Sequence, residues 1–230
     1  MPAVRHLLGQ LLTTPGPVDP SATPRREKWL WLGLATVVGA WIFAFHLRRF
    51  LGLGTDSDLY VYLQLATSWL DGHFLQDTYF GNYLTVHSYF LCPLLAIVVW
   101  PFGAPGLLFA LAVAVAANLL AIGRILRLLG VSGWWPLGGA LVLTLMPLAM
   151  QVYQVDHYGF QIELLIPALA LWLFYFLLRR QWVGSLLLGL ALQAMKEDAL
   201  LIILPVALTA AGEDLLRAFV ADGPRRWTRA

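Results

Sequence analysis

Charge is the scarcest property of this chain. Asp, Glu, Lys and Arg make up 12% of its 230 residues, about half the share in a typical soluble domain. Hydrophobic residues account for 60% and mean hydropathy is +0.72, so a soluble globular domain is excluded and an integral membrane protein is expected. Cysteine is nearly missing as well. Cys92 stands alone, which excludes an internal disulfide, and no Cys/His spacing suits a metal site. It precedes Pro93 in an apolar run, where a small packing side chain is expected rather than a nucleophile. The chain shows no Gly-rich nucleotide loop, metalloprotease His pair or nucleophile elbow. It has no basic stripe of the kind a nucleic-acid binder uses. A cleavable signal peptide is not expected either. Residues 1–28 carry Pro15, Pro17, Pro20 and Pro24, then Arg25, Arg26 and Lys28, and the apolar run that follows is too long for a signal segment.

What remains is a series of apolar stretches. The first is Trp29–Leu47, followed by Arg48 and Arg49. Later ones are Tyr89–Trp100, Pro105–Gly123, Trp134–Val152, Ile162–Leu178, Trp182–Met195 and Ala199–Ala211. A full crossing needs roughly 20 residues, and Tyr89–Trp100 is short, with Pro93 inside it and Pro101 at its end. The polar stretch 51–86 contains an amphipathic pattern, with Leu59, Tyr62, Leu63, Ala66, Trp69, Leu70 and Phe74 at helical spacing. It fits a helix lying along the membrane surface, with Tyr60, Tyr62 and Trp69 at the interface. It fits a helix packed on the rest of the protein equally well.

The arginines decide between two topologies. Suppose Tyr89–Trp100 spans fully and the N-terminus is inside. Arg5, Arg25, Arg26, Lys28 and Lys196 are then inside, and the other ten of the 15 basic residues are outside, which inverts the positive-inside rule. If that segment is instead re-entrant, Arg48, Arg49 and Lys196 alone remain outside. The expected fold is therefore an all-α integral membrane protein. It has about six full transmembrane helices, one short re-entrant or broken helix, and an amphipathic interfacial helix in the first outer loop. Residues 1–28 form a disordered cytoplasmic tail, 29–211 a polytopic membrane domain and 212–230 a basic cytoplasmic tail. The expected location is the inner (plasma) membrane, with both termini cytoplasmic.

This topology puts the acidic and histidine residues together on the outer side, where ionisable groups beside apolar spans mark a functional site. Three segments matter. Asp56-Ser57-Asp58 opens the outer loop, which runs on to His73 and His87. Paired carboxylates at this spacing can hold a divalent cation, or one can act as a base while the other stays ionised. A helix cap plus a solvated charge is the competing reading. Asp156-His157-Tyr158-Gly159-Phe160-Gln161-Ile162-Glu163 joins two apolar spans and carries more polar groups than a turn requires. His157 can move a proton or meet a phosphate; interfacial hydrogen bonding is its ordinary role. Lys196-Glu197-Asp198 places three charges between apolar runs. Lys196 can bind phosphate as a point charge, with Glu197 and Asp198 orienting it, and an exposed hairpin turn is the alternative.

The order of these pieces resembles known membrane enzymes. The run from Asp58 through Tyr60, Tyr62 and Trp69 to Gly72 and His73 resembles the first outer loop of GT-C type glycosyltransferases. Val86-His87-Ser88-Tyr89 with Pro93 is similar to the helix start that follows it there. Asp156–Glu163 and Met195-Lys196-Glu197-Asp198-Ala199 resemble a large uncharacterised family of multi-spanning membrane proteins, described only as a domain of unknown function and itself similar to GT-C enzymes. In that family a His stands where this chain has Gln161. The resemblance covers about residues 29–211. It implies transfer of a sugar from a polyprenyl-phosphate donor to an acceptor on the outer leaflet, with membrane lipid as the surrounding partner. Asp58 would be the catalytic base or metal ligand and Asp56 the second candidate. Lys196, Glu197, Asp198, Asp156, His157, Glu163 and His87 would form the substrate site. A divalent cation as cofactor and the oligomeric state are both open.

Two other functions fit the composition. A transporter or flippase-like protein for a lipid or small solute needs charges deep within its spans, and only His46 stands near the centre of one. A non-catalytic scaffold predicts that Asp58, Asp156 and Lys196 are all replaceable.

Overall fold

The computed structural model describes residues 25–55, 58–78, 80–85, 87, 89–146 and 159–221. Helix α1 is Arg25–Leu51 and α2 is Asp58–Thr67, continued by a 3-10 turn Ser68–Asp71. A minimal antiparallel hairpin follows, β1 (Gln76–Asp77) paired with β2 (Gly81–Asn82). A 3-10 turn Cys92–Leu95 leads into α3 (Ala96–Phe102), and then come α4 (Ala104–Leu128) and α5 (Trp135–Leu145). A 3-10 turn Ile162–Leu165 opens α6 (Ile166–Leu178). It is followed by α7 (Trp182–Met195), a 3-10 turn Glu197–Ala199 and α8 (Leu200–Ala221). Apart from the short hairpin, the fold is all-α.

The bundle is organised around α4, which packs against α1, α3, α5 and α6. It is built for this position: Pro105 in its first turn presets the helix, and Leu107, Leu108, Leu111, Val115 and Leu119 are completely buried. The pairing with α1 is antiparallel throughout. Glu27 meets Arg127, Trp31 covers Gly123, Gly39 lies against Ala112 and Ala116, and Phe43 meets Phe109 edge to face. Small residues at these crossings let the backbones approach closely, which is the main source of helix association where lipid removes the hydrophobic drive.

That register settles how residues 52–103 run. The end of α1 and the start of α4 lie at the same end of the bundle, so the intervening chain leaves and returns there. Within Tyr89–Trp100 the chain accordingly forms a short broken helix, the Cys92–Leu95 turn leading into α3. Gly103, at φ 59°, makes the reversal into α4, and Gly106 presses on the Val98–Val99 backbone where no Cβ fits. Helix α6 runs parallel to α4, with the Trp172 indole N–H donating to the Ala117 carbonyl (3.2 Å) and the Arg124 guanidinium over the Trp172 ring (5.0 Å). Helices α5 and α7 fold back on α4 and α6 through short turns, and α8 packs against α6 and α7.

Several boundaries differ from the sequence expectation. Among the described residues, α1 and α4 are long and apolar enough to cross a membrane, with candidate spans of 25 residues each, or about 38 Å. Helices α6 and α7, at 13 and 14 residues, reach only about 20 Å. Six full spans are therefore not confirmed among the described residues: Pro167 and the 3-10 turn before it shorten α6, α5 is described only to Leu145, and residues 147–158 lie outside the described ones. Helix starts already at Arg25, inside the expected tail. Helix α8 continues through Gly212 to Ala221, where a polar tail was expected. Helix α2 takes the packed alternative: Leu59, Val61, Tyr62, Leu65 and Ala66 are buried, while Tyr60 and Trp69 stay exposed.

The outer surface is apolar. Trp41, Val183, Leu186, Leu187, Leu190, Leu201, Leu204 and Leu208 are all exposed, far more than a soluble monomer leaves open. Trp29, Trp134, Trp135 and Trp182 are exposed at the end opposite the 52–103 segment, as in a girdle at a membrane–water interface.

Candidate functional site

One end of the bundle gathers residues 52–103, 159–165 and 196–199, and its polar side chains are hydrogen-bonded across those segments. Asp58 opens α2, where an acidic side chain suits the helix dipole, and its Oδ2 accepts from the Gln161 Nε2 at 3.1 Å. Gly159 makes this approach possible. Its φ of 67° and its contact with Thr55 and Leu59 leave no room for a side chain. Phe160 is then fully buried and meets the Tyr62 ring edge to face at 5.6 Å.

Glu163, on the 3-10 turn outside α6, is the hub. Its Oε2 accepts from the Tyr62 hydroxyl at 3.0 Å. Its Oε1 accepts from the Tyr89 hydroxyl in a short bond and from Lys196 Nζ at 3.2 Å. Three segments are thus tied to one carboxylate. Burial pushes the Glu163 pKa up, but the hydrogen bonds from Tyr89, Lys196 and Tyr62 outweigh it and hold the carboxyl below its ordinary range. Burial likewise pushes Lys196 down. The Glu163 hydrogen bond and charge, with Asp198 and Glu197 behind them, more than reverse it, so the ammonium is held above its ordinary value. Burial and the Glu163 charge raise both the Tyr62 and Tyr89 hydroxyls. Tyr83, stacked on Tyr89 at 5.5 Å, is pushed up to about 12 by burial and then by Asp77 and Asp58.

The rim is more open. His87 Nδ1 lies 2.8 Å from Glu197 Oε1, and the Leu91 N–H donates to the Ala194 carbonyl at 2.9 Å. The 52–103 segment is therefore fastened to the end of α7 and the turn after it by a side-chain and a backbone contact. Asp198 is exposed and close enough to Lys196 to act on its charge.

Of the expected site residues, Asp58, His87, Glu163, Lys196, Glu197 and Asp198 share this end of the bundle. Asp56, Asp156 and His157 lie outside the described residues. Among the described residues, no three His, Cys, Asp or Glu side chains converge as metal ligands. Tyr62, Tyr89 and Gln161 were not picked out as site residues from the sequence. A signal existed for Tyr62, which stands one helical turn after Asp58 and so on the same face.

Chemically, the arrangement offers a carboxylate held by an amide, an ammonium fixed by a carboxylate with two tyrosines behind it, and a histidine at the entrance. Glu163, Glu197 and Asp198 all act on Lys196, and His87 lies against Glu197. An anion therefore gains attraction from Lys196 against a negative surrounding.

No curated protein and no solved structure shows detectable similarity to the chain. The resemblance of Asp156–Glu163 and Met195–Ala199 to an uncharacterised family is met by a family profile that aligns with residues 49–225: the chain belongs to DUF2079, a family of predicted membrane proteins.

Proposed function

We propose that this membrane protein is a glycosyltransferase of GT-C type, which moves a sugar from a polyprenyl-phosphate donor to an acceptor hydroxyl at the outer face of the inner (plasma) membrane, with both chain ends cytoplasmic. The observation that carries this reading is the convergence of Asp58, the Gln161–Glu163 segment and Lys196 at one bundle end, beside an apolar surface suited to a lipid tail. Asp58 takes the proton of the acceptor hydroxyl, with Asp56 the second candidate. The acceptor oxygen bonds to the anomeric carbon as the bond to the phosphate oxygen breaks, with inversion. Lys196 stabilises the charge on the leaving phosphate. An ammonium has three donors and Glu163 takes one, so Lys196 can be held by Glu163 and still reach a phosphate. Glu197 and His87 lie at the rim, in contact with each other. Asp198, Asp156 and His157 complete the proposed substrate site. No step is assigned to a metal ion.

The test uses the reconstituted chain and radiolabelled polyprenyl-phosphate sugars. Asp58→Asn should lower turnover by about 10²–10⁴-fold, while Lys196→Met should chiefly raise the donor KM. No transfer from any such donor, or full activity in Asp58→Asn, sinks the proposal. A transporter would need a polar path through the helices. His46 and Asn118 are buried, but by the α1–α4 register they sit roughly 16 Å apart along the bundle, which does not favour that alternative.

A further inference from the structure

A second polar feature lies on the outer loop, away from the Glu163 hub. The C-terminal half of α2, the 3-10 turn after it and the β1–β2 hairpin enclose a cleft of about 260 Å³. Its lining includes Gln64, Ser68, Asp71, His73, Asp77 and Thr78. The cleft is held in shape by its own walls. Gln64 Oε1 accepts from the Thr78 N–H at 2.8 Å, the Ser68 hydroxyl oxygen accepts from the Gln76 N–H at 3.2 Å, and Asp77 Oδ1 accepts from the Phe80 N–H at 2.9 Å. Two of these contacts, from Gln64 and Ser68, tie the hairpin to α2 and the turn after it.

The chemistry of the lining narrows what it accepts. It contains two carboxylates and no Lys or Arg, so phosphates and carboxylates are repelled. Nor do Asp71, His73 and Asp77 form a metal-ligand group. Carboxylates accept hydrogen bonds, amides donate and accept, and hydroxyls do both. That combination matches a ligand whose surface is mostly hydroxyl. The cleft is large enough for one sugar ring. It also lies near Asp58: Gln64 follows Asp58 by six residues on α2, about 9 Å along the axis, and Tyr83 feels the charge of both Asp77 and Asp58.

We propose that this cleft binds a neutral saccharide, with Asp71 accepting from its ring hydroxyls and Gln64 shaping the floor. Binding rests on the cleft's own lining; its use as the acceptor subsite rests on the transferase reading. The full chain in nanodiscs of neutral phospholipid is applied to a glycan array of pentose, hexose and N-acetylhexosamine oligosaccharides. The wild type should be retained on a subset of glycans above empty nanodiscs, and inorganic phosphate should not compete. Asp71→Ala, at an exposed position, should weaken binding about ten-fold, the loss of one charged hydrogen bond, and Thr78→Ala should weaken it less. Absence of glycan binding, unchanged binding in both variants, or displacement by putrescine (an amine site) overturns the proposal. Glycan binding by a wild type that transfers no sugar removes the transferase reading and leaves the cleft standing.

Discussion

Replacing Glu163 by Gln tests the hub directly. The substitution keeps two oxygen- or nitrogen-bearing positions, and the amide oxygen can still accept from Tyr62 or Tyr89. It removes the charge that Lys196 faces. The two side chains are 22% and 26% exposed, between the surface case, worth about 0–1 kcal/mol, and the buried case, where breaking a pair costs about 3–5 kcal/mol. A loss of about 2 kcal/mol follows. For a chain of this size that is roughly 4–8 °C in Tm. The assay is a fluorescence melt of the detergent-solubilised protein, with Glu163→Gln, Lys196→Met and the double variant compared. Because the residues are in contact, the double variant should lose less than the sum of the singles. Glu163→Ala should be worse than any of them, because it also strips the acceptor from two buried tyrosine hydroxyls. A Glu163→Gln melt within about 1 °C of wild type, or strictly additive singles, refutes the hub as a source of stability.

Three further outcomes follow from the same geometry. The Glu163 pKa is lowered on folding, so its stabilisation is present above the ordinary carboxylate range and lost as pH falls through it; the Lys196 pKa is raised, so its share is present below the ordinary lysine range and lost as pH rises through it. Melts from about pH 3 to about pH 11, which spans the two titrations, should show a plateau between those limbs, and Glu163→Gln should flatten the acid limb. Gly123→Val should destabilise by about 1–3 kcal/mol, because even a Cβ there runs into the Trp31 ring. Trp31→Ala should relieve part of that loss in a melt of the double variant; no relief refutes the α1–α4 register. Single cysteines at Thr78, Asp198 and Trp134 in a Cys92→Ala background should divide under an impermeant thiol reagent, with Thr78 and Asp198 labelled from one side of the membrane and Trp134 from the other. Labelling of all three from one side sinks the topology.

Composition and charge order were sufficient for the class of molecule. A chain with so few charges had to be a membrane protein. The arginine distribution, with the length of Tyr89–Trp100, already argued that residues 52–103 return to the end they leave, because helix length and charge placement are local properties. The sequence also marked Asp58, His87, Glu163 and Lys196, since charges between apolar runs stand out. Helix ends were less legible. Arg25 and Gly212 lie within helices because a continuing hydrogen-bond ladder overrides local polarity. Only the tertiary structure decided which polar groups touch. Tyr62, Tyr89 and Gln161 are ordinary residues along the chain, and their meeting with Glu163 and Asp58 depends on helix register and on Gly159 letting one segment pass against α2. Contacts across 74 and 101 residues leave no periodic trace in a sequence, because they arise from packing between elements and not within one.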